Sequence, residues 1–237
     1  MMGDHLTELR EILYGEPSRR AWDRVCDLFE RWPADSAQIG LDYAQGLLTG
    51  WPDAERRARG RWTALLYDHA GALSPSPDAS PPRAWPLVRA MSVDTGQIDA
   101  AALEALGRST WLAPLTILKM STDPRQRLSS LTGPMVEAIA RWPALGQLKV
   151  LDLSFNNIDD RGAEALAECE ALADLQVLDL SLNLIRDAGA EALAGSRWLA
   201  RLERLDLGRN SIGEAGRASL NASPWLSDAV KRRLGVR

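Results

Sequence analysis

The sequence predicts an α/β solenoid of about five strand–helix units behind an N-terminal helical bundle, and three observations carry that reading. Between Leu148 and Leu226 the chain repeats itself three times at a period of 27 residues, as LKVLDLSFNNIDDRGAEALAECEALAD, LQVLDLSLNLIRDAGAEALAGSRWLAR and LERLDLGRNSIGEAGRASLNASPWLSD. Each copy opens with strand-like leucines, and its apolar period then lengthens to that of a helix. Residues 1–73 carry helix-spaced apolar residues but no repeat. A strand–helix unit this short cannot bury its apolar face alone, so neighbouring units must stack and complete one another's cores.

Taken in order, Leu6, Leu9, Ile12 and Leu13 make one short helical face ending at Gly15. Trp22, Val25, Leu28, Phe29 and Trp32 make a second, entered through Pro17 and closed by Pro33. Ile39, Tyr43, Leu47 and Leu48 mark a third ending at Gly50, and a fourth starts at Pro52 and carries Trp62, Leu65, Leu66 and His69. Four amphipathic helices with short Pro/Gly joints predict a bundle over residues 1–73, whose first duty is to cap the open end of the solenoid. The proline-rich SPSPDASPPRAWP then predicts a stiff linker, poor in hydrogen bonds, over residues 74–87.

The solenoid itself is expected over residues 88–237. Val88, Met91, Val93 and Ile98 stand where Leu148, Leu151, Leu153 and Ile158 stand one or more periods later. Leu115, Leu118 and Met120 open a further copy, lengthened to 33 residues by an insertion around Pro124–Ser129. Such a loop costs little chain entropy and lies where partner contacts are often made. Asn156, Asn183 and Asn210 fall where the strand must turn, and an amide there serves buried backbone donors and acceptors alike. Gly96 and Asp123 replace them in the first two copies, predicting looser turns. Gly162, Gly189 and Gly216 start or border the helix, and the alanine-rich run after each allows close helix-to-sheet approach. Trp111, Trp198 and Trp225 share one repeat position and are expected to pack against the next unit. Trp225, Leu226, Val230 and Leu234 read as a closing cap.

The pattern LxxLxLxxNxI followed by GAxALA resembles the leucine-rich repeat family, in its ribonuclease-inhibitor-like branch. The match is specific over residues 148–226 and extends more weakly over residues 88–229. The resemblance implies a curved solenoid with a parallel sheet on the concave side and helices outside. The residues that alternate away from the leucines then line that face in three columns. The central column is Ser92, Lys119, Asp152, Asp179 and Asp206. One flank is Ala90, Ile117, Val150, Val177 and Arg204, and the other, at the strand exits, is Thr95, Thr122, Phe155, Leu182 and Arg209. Apolar residues contiguous beside carboxylates are the mark of an interaction surface.

Composition narrows the chemistry. A net charge of −4 without a basic stripe argues against nucleic acid. No apolar run reaches membrane-spanning length, and MMGDHLTELRE lacks a signal peptide's apolar core. Cys26 and Cys169 lie far apart, which predicts free thiols and a cytoplasmic protein. Arginine outnumbers lysine 25 to 3, which predicts a bacterial source. His5 and His69 are the only histidines, leaving no material for triads or histidine metal sites. Carboxylates at Asp152, Asp179 and Asp206 stack about 4.8 Å apart, a spacing suited to a cationic side chain. No carbonyl-rich loop accompanies them to make a calcium site.

The expectation is therefore a non-enzymatic protein-interaction module without cofactor or metal, a monomer or weak oligomer. It binds a protein partner through Lys119, Val150, Asp152, Phe155, Val177, Asp179, Leu182, Arg204, Asp206 and Arg209. The repeats are also similar to those of the Ran GTPase-activating protein, which implies regulation of a small GTPase as one alternative. A scaffold role, with function carried by the N-terminal helices, is another.

Overall fold

The computed structural model describes residues 2–59, 81–96, 98–122 and 130–234. Five strands, β1 (Ala90–Asp94), β2 (Ile117–Ser121), β3 (Val150–Asp152), β4 (Val177–Asp179) and β5 (Arg204–Asp206), form one parallel sheet in sequence order. After each strand comes a helix: α4 (Ala100–Arg108), α5 (Gly133–Ile139), α6 (Asp160–Ala167), α7 (Asp187–Gly195) and α8 (Glu214–Ala222). A short 3-10 turn leads from each of α4 to α7 into the next strand. Sequential parallel order is what stacking one unit on the next produces, and the pairing register advances by one repeat per strand, with Leu118, Leu151, Leu178 and Leu205 side by side. Those four, together with Leu153, Leu180 and Leu207, are at most 1% exposed, so the leucine ladder is the core.

The strand-exit asparagines knit the rungs together. Asn183 donates through Nδ2 to the carbonyls of Leu153, Leu180 and Ser181 and accepts from the Ile158 amide through Oδ1. Asn156 and Asn210 repeat the arrangement one rung before and after. In the first rung Gly96 is held instead by the Asp94 carboxylate; Asp123 and the 124–129 insertion lie outside the described residues.

Helix ends are satisfied across rungs, a feature not anticipated from the sequence. The N-cap positions of α7 and α8 are Arg186 and Gly213, and neither makes a side-chain cap. Asp160 of the preceding rung accepts instead from the amides of Arg186 and Gly189, and Asp187 accepts from Gly213. At the opposite ends, the Cys169 thiol and the Ser196 and Ser223 hydroxyls donate to Ala140, Ala167 and Ala194 carbonyls of the rung before. The glycines at the helix starts serve this stacking. A Cβ at Gly189 would lie 2.7 Å from Asp160 Oδ1 and 3.0 Å from Ala163 Cβ, both on the previous rung.

Before the sheet stand α1 (Met2–Leu13), α2 (Arg19–Arg31) and α3 (Ala37–Leu47). The first two bury the expected faces, with Trp22, Val25, Leu28, Phe29 and Trp32 fully enclosed, and Ser18 caps α2. The third is rotated from its predicted phase: Ile39 is 49% exposed, while Ala37, Gly40, Leu41 and Ala44 face inward. The cause is Trp32, whose ring fills the space a Cβ at Gly40 would need.

The predicted fourth helix does not start at Pro52. Asp53–Glu55 make one 3-10 turn, and residues 56–58 then extend beside β1, with Arg57 opposite Ala90. Arg56 accepts from the Arg89 and Ala90 amides and Ala58 donates to Ala90. Trp62, Leu65, Leu66 and His69 lie outside the described residues. The extended segment is held from behind by Trp22 Nε1, which donates to the Arg57 carbonyl at 2.8 Å. It is held from the solenoid side by Arg56, which donates to the Leu87 carbonyl and pairs with Asp53. Burial, with the charge of Arg89 adding, lowers the Arg56 guanidinium to about 10.

Of the expected linker, residues 81–87 are described, and they are not a hydrogen-bond-poor spacer. Ala84, Trp85 and Leu87 are buried, Trp85 donates to the Trp111 carbonyl, and the two indoles meet edge to face at 4.4 Å. Trp111 thus packs backwards, onto what precedes it. Trp198 is half-buried beneath Arg197, and Trp225 is 43% exposed rather than part of a closing cap. The end of the solenoid is covered by Leu226 and by Val230 of α9 (Asp228–Arg233).

Candidate functional site

Because neighbouring strands are in register, residues flanking the buried leucines form stripes across the sheet face turned away from the helices. Ala90, Ile117, Val150, Val177 and Arg204 make one stripe, and Ser92, Lys119, Asp152, Asp179 and Asp206 the next. Ile117, Val150 and Val177 are half-buried, as are Lys119 and the three aspartates. Ala90 departs from the expected exposed column: only 3% is accessible, because the 56–58 segment lies over that edge.

The third column divides. Thr95 and Thr122 are buried rather than face-lining, and Thr95 Oγ1 donates to Asn156 Oδ1 at 2.8 Å. A threonine is small enough to turn inward where the first two units lack the strand-exit asparagine. Phe155, Leu182 and Arg209 do sit at the rim, and they do so in left-handed backbone, with φ of 57 to 58°. Phe155 and Leu182 are half-buried and Arg209 is exposed.

The carboxylates are more constrained than a solvated stripe. Oδ1 of Asp152 accepts from the amide and hydroxyl of Ser154, Oδ1 of Asp179 from those of Ser181, and Oδ1 of Asp206 from the Gly208 amide. One oxygen of each therefore closes its own turn. The outward oxygens differ: Lys119 Nζ holds Asp152 Oδ2 at 3.1 Å and Arg204 holds Asp206 Oδ2 at 2.9 Å, whereas Asp179 Oδ2 meets no donor among the described residues. Burial opposes the charge on Asp152, but the bonds from Ser154 and Lys119 outweigh it and hold the carboxyl below its ordinary value. Its hydrogen bond with Asp206 raises Arg204, and the charges of Asp206, Asp179 and Asp152 raise it further.

A hollow of about 460 Å³ lies at the first-rung end of this face. Arg57, Ala58, Ala90, Ile117, Lys119 and Val150 are among the residues that line it. Of the ten residues expected from the sequence, all but Lys119 lie on the last three rungs. Sequence reasoning missed Arg57 because that residue belongs to a segment read as helix, and no local pattern announced that it would lie beside β1.

Among the described residues no cluster of histidine, cysteine or carboxylate side chains has the arrangement of a metal site, and no helix is long and apolar enough to cross a membrane. Both cysteines are free and buried; burial pushes the Cys26 thiol up to about 12 and raises Cys169 as well, which suits packing rather than thiolate chemistry.

Residues 148–167 and 172–194 match the family described as Leucine Rich repeat, so the third and fourth rungs carry the family's pattern. A crystal structure of an internalin from Listeria monocytogenes is similar at 17% identity, with a TM-score of 0.27, over 59% of this chain and 46% of that one. This chain thus spans less than half the length of that protein. No curated protein matches the chain. Leucine-rich repeats generally mediate protein–protein interaction.

Proposed function

We propose that this chain is a non-enzymatic protein-interaction module that seats a protein partner on the open face of its repeat sheet. The observation that supports this most is the half-buried apolar stripe Ile117–Val150–Val177, which runs unbroken across three strands beside paired and unpaired charges. A stripe of this kind excludes water at its centre while the charges beside it orient the partner, the division of labour found in interface cores and rims.

Photo-crosslinking tests the assignment. A benzophenone amino acid replacing Val177 on the open face should trap the partner, while the same group replacing Glu191, exposed on α7, should not. The trapped protein should then bind Val150→Asp at least about tenfold more weakly in calorimetry, as loss of a central anchor does. Crosslinks from Glu191 and not Val177 would move the site to the helical side. Crosslinks confined to a probe on α1 or α3 would assign the function to the N-terminal helices.

A further inference from the structure

Resting on that reading, the charges along the open face specify the segment it takes. We propose that it binds an extended peptide segment carrying a carboxylate at one end and a lysine or arginine about six residues away, with small apolar side chains between them on the same side. At the first-rung end, Arg57 lines the hollow over Ala90, Ile117 and Val150. Its Nε turns back onto the Ala54 carbonyl at 3.0 Å, and it forms no ion pair with a carboxylate among the described residues. Four strand positions along, Asp179 holds its turn with Oδ1 and presents Oδ2 with no donor among the described residues. Between these two, Lys119 and Asp152 satisfy each other, and beyond them Arg204 satisfies Asp206. Along the two inner stripes, among the described residues, Arg57 is thus a cation and Asp179 an anion without an ion pair, joined by the apolar stripe Ile117–Val150–Val177, while Arg209 stands apart on the strand-exit rim.

The spacing sets the length of the occupant. Four steps of about 4.8 Å between neighbouring strands separate the two charges by about 19 Å, which an extended chain crosses in about six residues at about 3.3 Å each. Side chains of an extended segment alternate, so the first, third, fifth and seventh share a side. The acid, two apolar residues and the base can thus all face the sheet. A segment with two acids or two bases would leave Asp179 or Arg57 beside a like charge, and such juxtapositions select against the wrong partner.

The test uses the full chain and three end-blocked, fluorescein-labelled heptapeptides: Glu-Ser-Val-Ser-Val-Ser-Lys and the versions with Glu at both ends or Lys at both ends. Fluorescence polarisation should show the mixed peptide binding at least about tenfold more tightly than either like-charged one. Arg57→Glu should shift the preference to the peptide with two lysines, and Asp179→Lys to the one with two glutamates. Asp179→Asn retains the oxygen that accepts from Ser181, so it should fold as the parent does and lose only the preference for lysine. A mixed peptide that fails to bind, or binds no more tightly than the others, overturns the proposal; so does a preference that survives the substitutions. Val150→Trp separates the two levels. If it abolishes binding while the charge changes do nothing, the open-face reading stands and the charge pattern is wrong. If peptide binding persists in Val150→Trp, both fail.

Discussion

At the residue scale, the rim residues Phe155, Leu182 and Arg209 occupy left-handed backbone with φ near 57 to 58°, which costs an ordinary L-residue roughly 1–2 kcal/mol. Arg209 is exposed, so its substitution separates backbone cost from burial. Arg209→Asn should be neutral or raise stability by up to about 1 kcal/mol, because asparagine tolerates this region. Arg209→Val, with its branched β-carbon, should lower it by at least about 1 kcal/mol; urea denaturation of the two proteins decides. Asp152 makes a second residue-scale prediction. Its folded-state pKa lies below the ordinary 3.8, so its contribution is complete above that value and is lost as pH falls through the folded one. Asp152→Asn should therefore be less stable than the parent at pH 7, with the gap closing as pH falls below 3.8 and through the lower folded-state value. A gap independent of pH would mean the carboxylate's charge is irrelevant. The stripes of the open face were legible in the sequence because a fixed repeat length places equivalent residues side by side. What alternation could not show was that Thr95 turns inward, since that depends on Asn156 two rungs away; Thr122 is buried as well, without such a partner among the described residues.

The elements are bound by bonds that skip from one rung to the next. Removing Asp160 deprives α7 of its cap without touching its own helix's cap, which Asp159 supplies to the Gly162 amide. Asp160→Ala should cost about 1 kcal/mol, as lost N-caps do, and amide exchange should quicken at Arg186 and Gly189 rather than at Gly162. Exchange that quickens at Gly162 instead would show that the cap acts within its own rung. The signal for this arrangement was present in the sequence at the 27-residue spacing of Asp160 and Asp187, and of Cys169, Ser196 and Ser223. It went unread because an N-cap is ordinarily sought immediately before its own helix, and Arg186 and Gly213 occupy those places. The departure at Pro52 has a different origin: Pro52 opens a turn, and pairing of residues 56–58 with the edge of β1 then outweighs the local helical preference of those residues.

For the whole molecule, stacking makes each rung's core the business of two others. Leu178 is fully buried between Leu151 and Leu205, and Leu178→Ala should cost about 2–5 kcal/mol in a single cooperative transition shared by every rung. A second, separate transition would break the picture of one cooperative stack. The N-terminal elements belong to the same account. Removing residues 1–73 strips the 56–58 segment from β1 and uncovers Ala90 and Met91, and the shortened chain should aggregate; a monomeric fragment with a sharp melt would show that β1 needs no cover.

The capping pattern also gives the chain a grammar of growth. A rung caps the helix start of its successor and has its own helix end closed by that successor. Rungs are therefore ordered, and shuffling them would strand acids and carbonyls. Tandem duplication of residues 160–186, by contrast, inserts a unit that brings Asp160, Cys169 and Asn183 in the right phase. Lengthening by whole repeats needs no new residue, whereas cutting after α7 leaves Asp187 with nothing to hold and the Ala194 carbonyl without its hydroxyl.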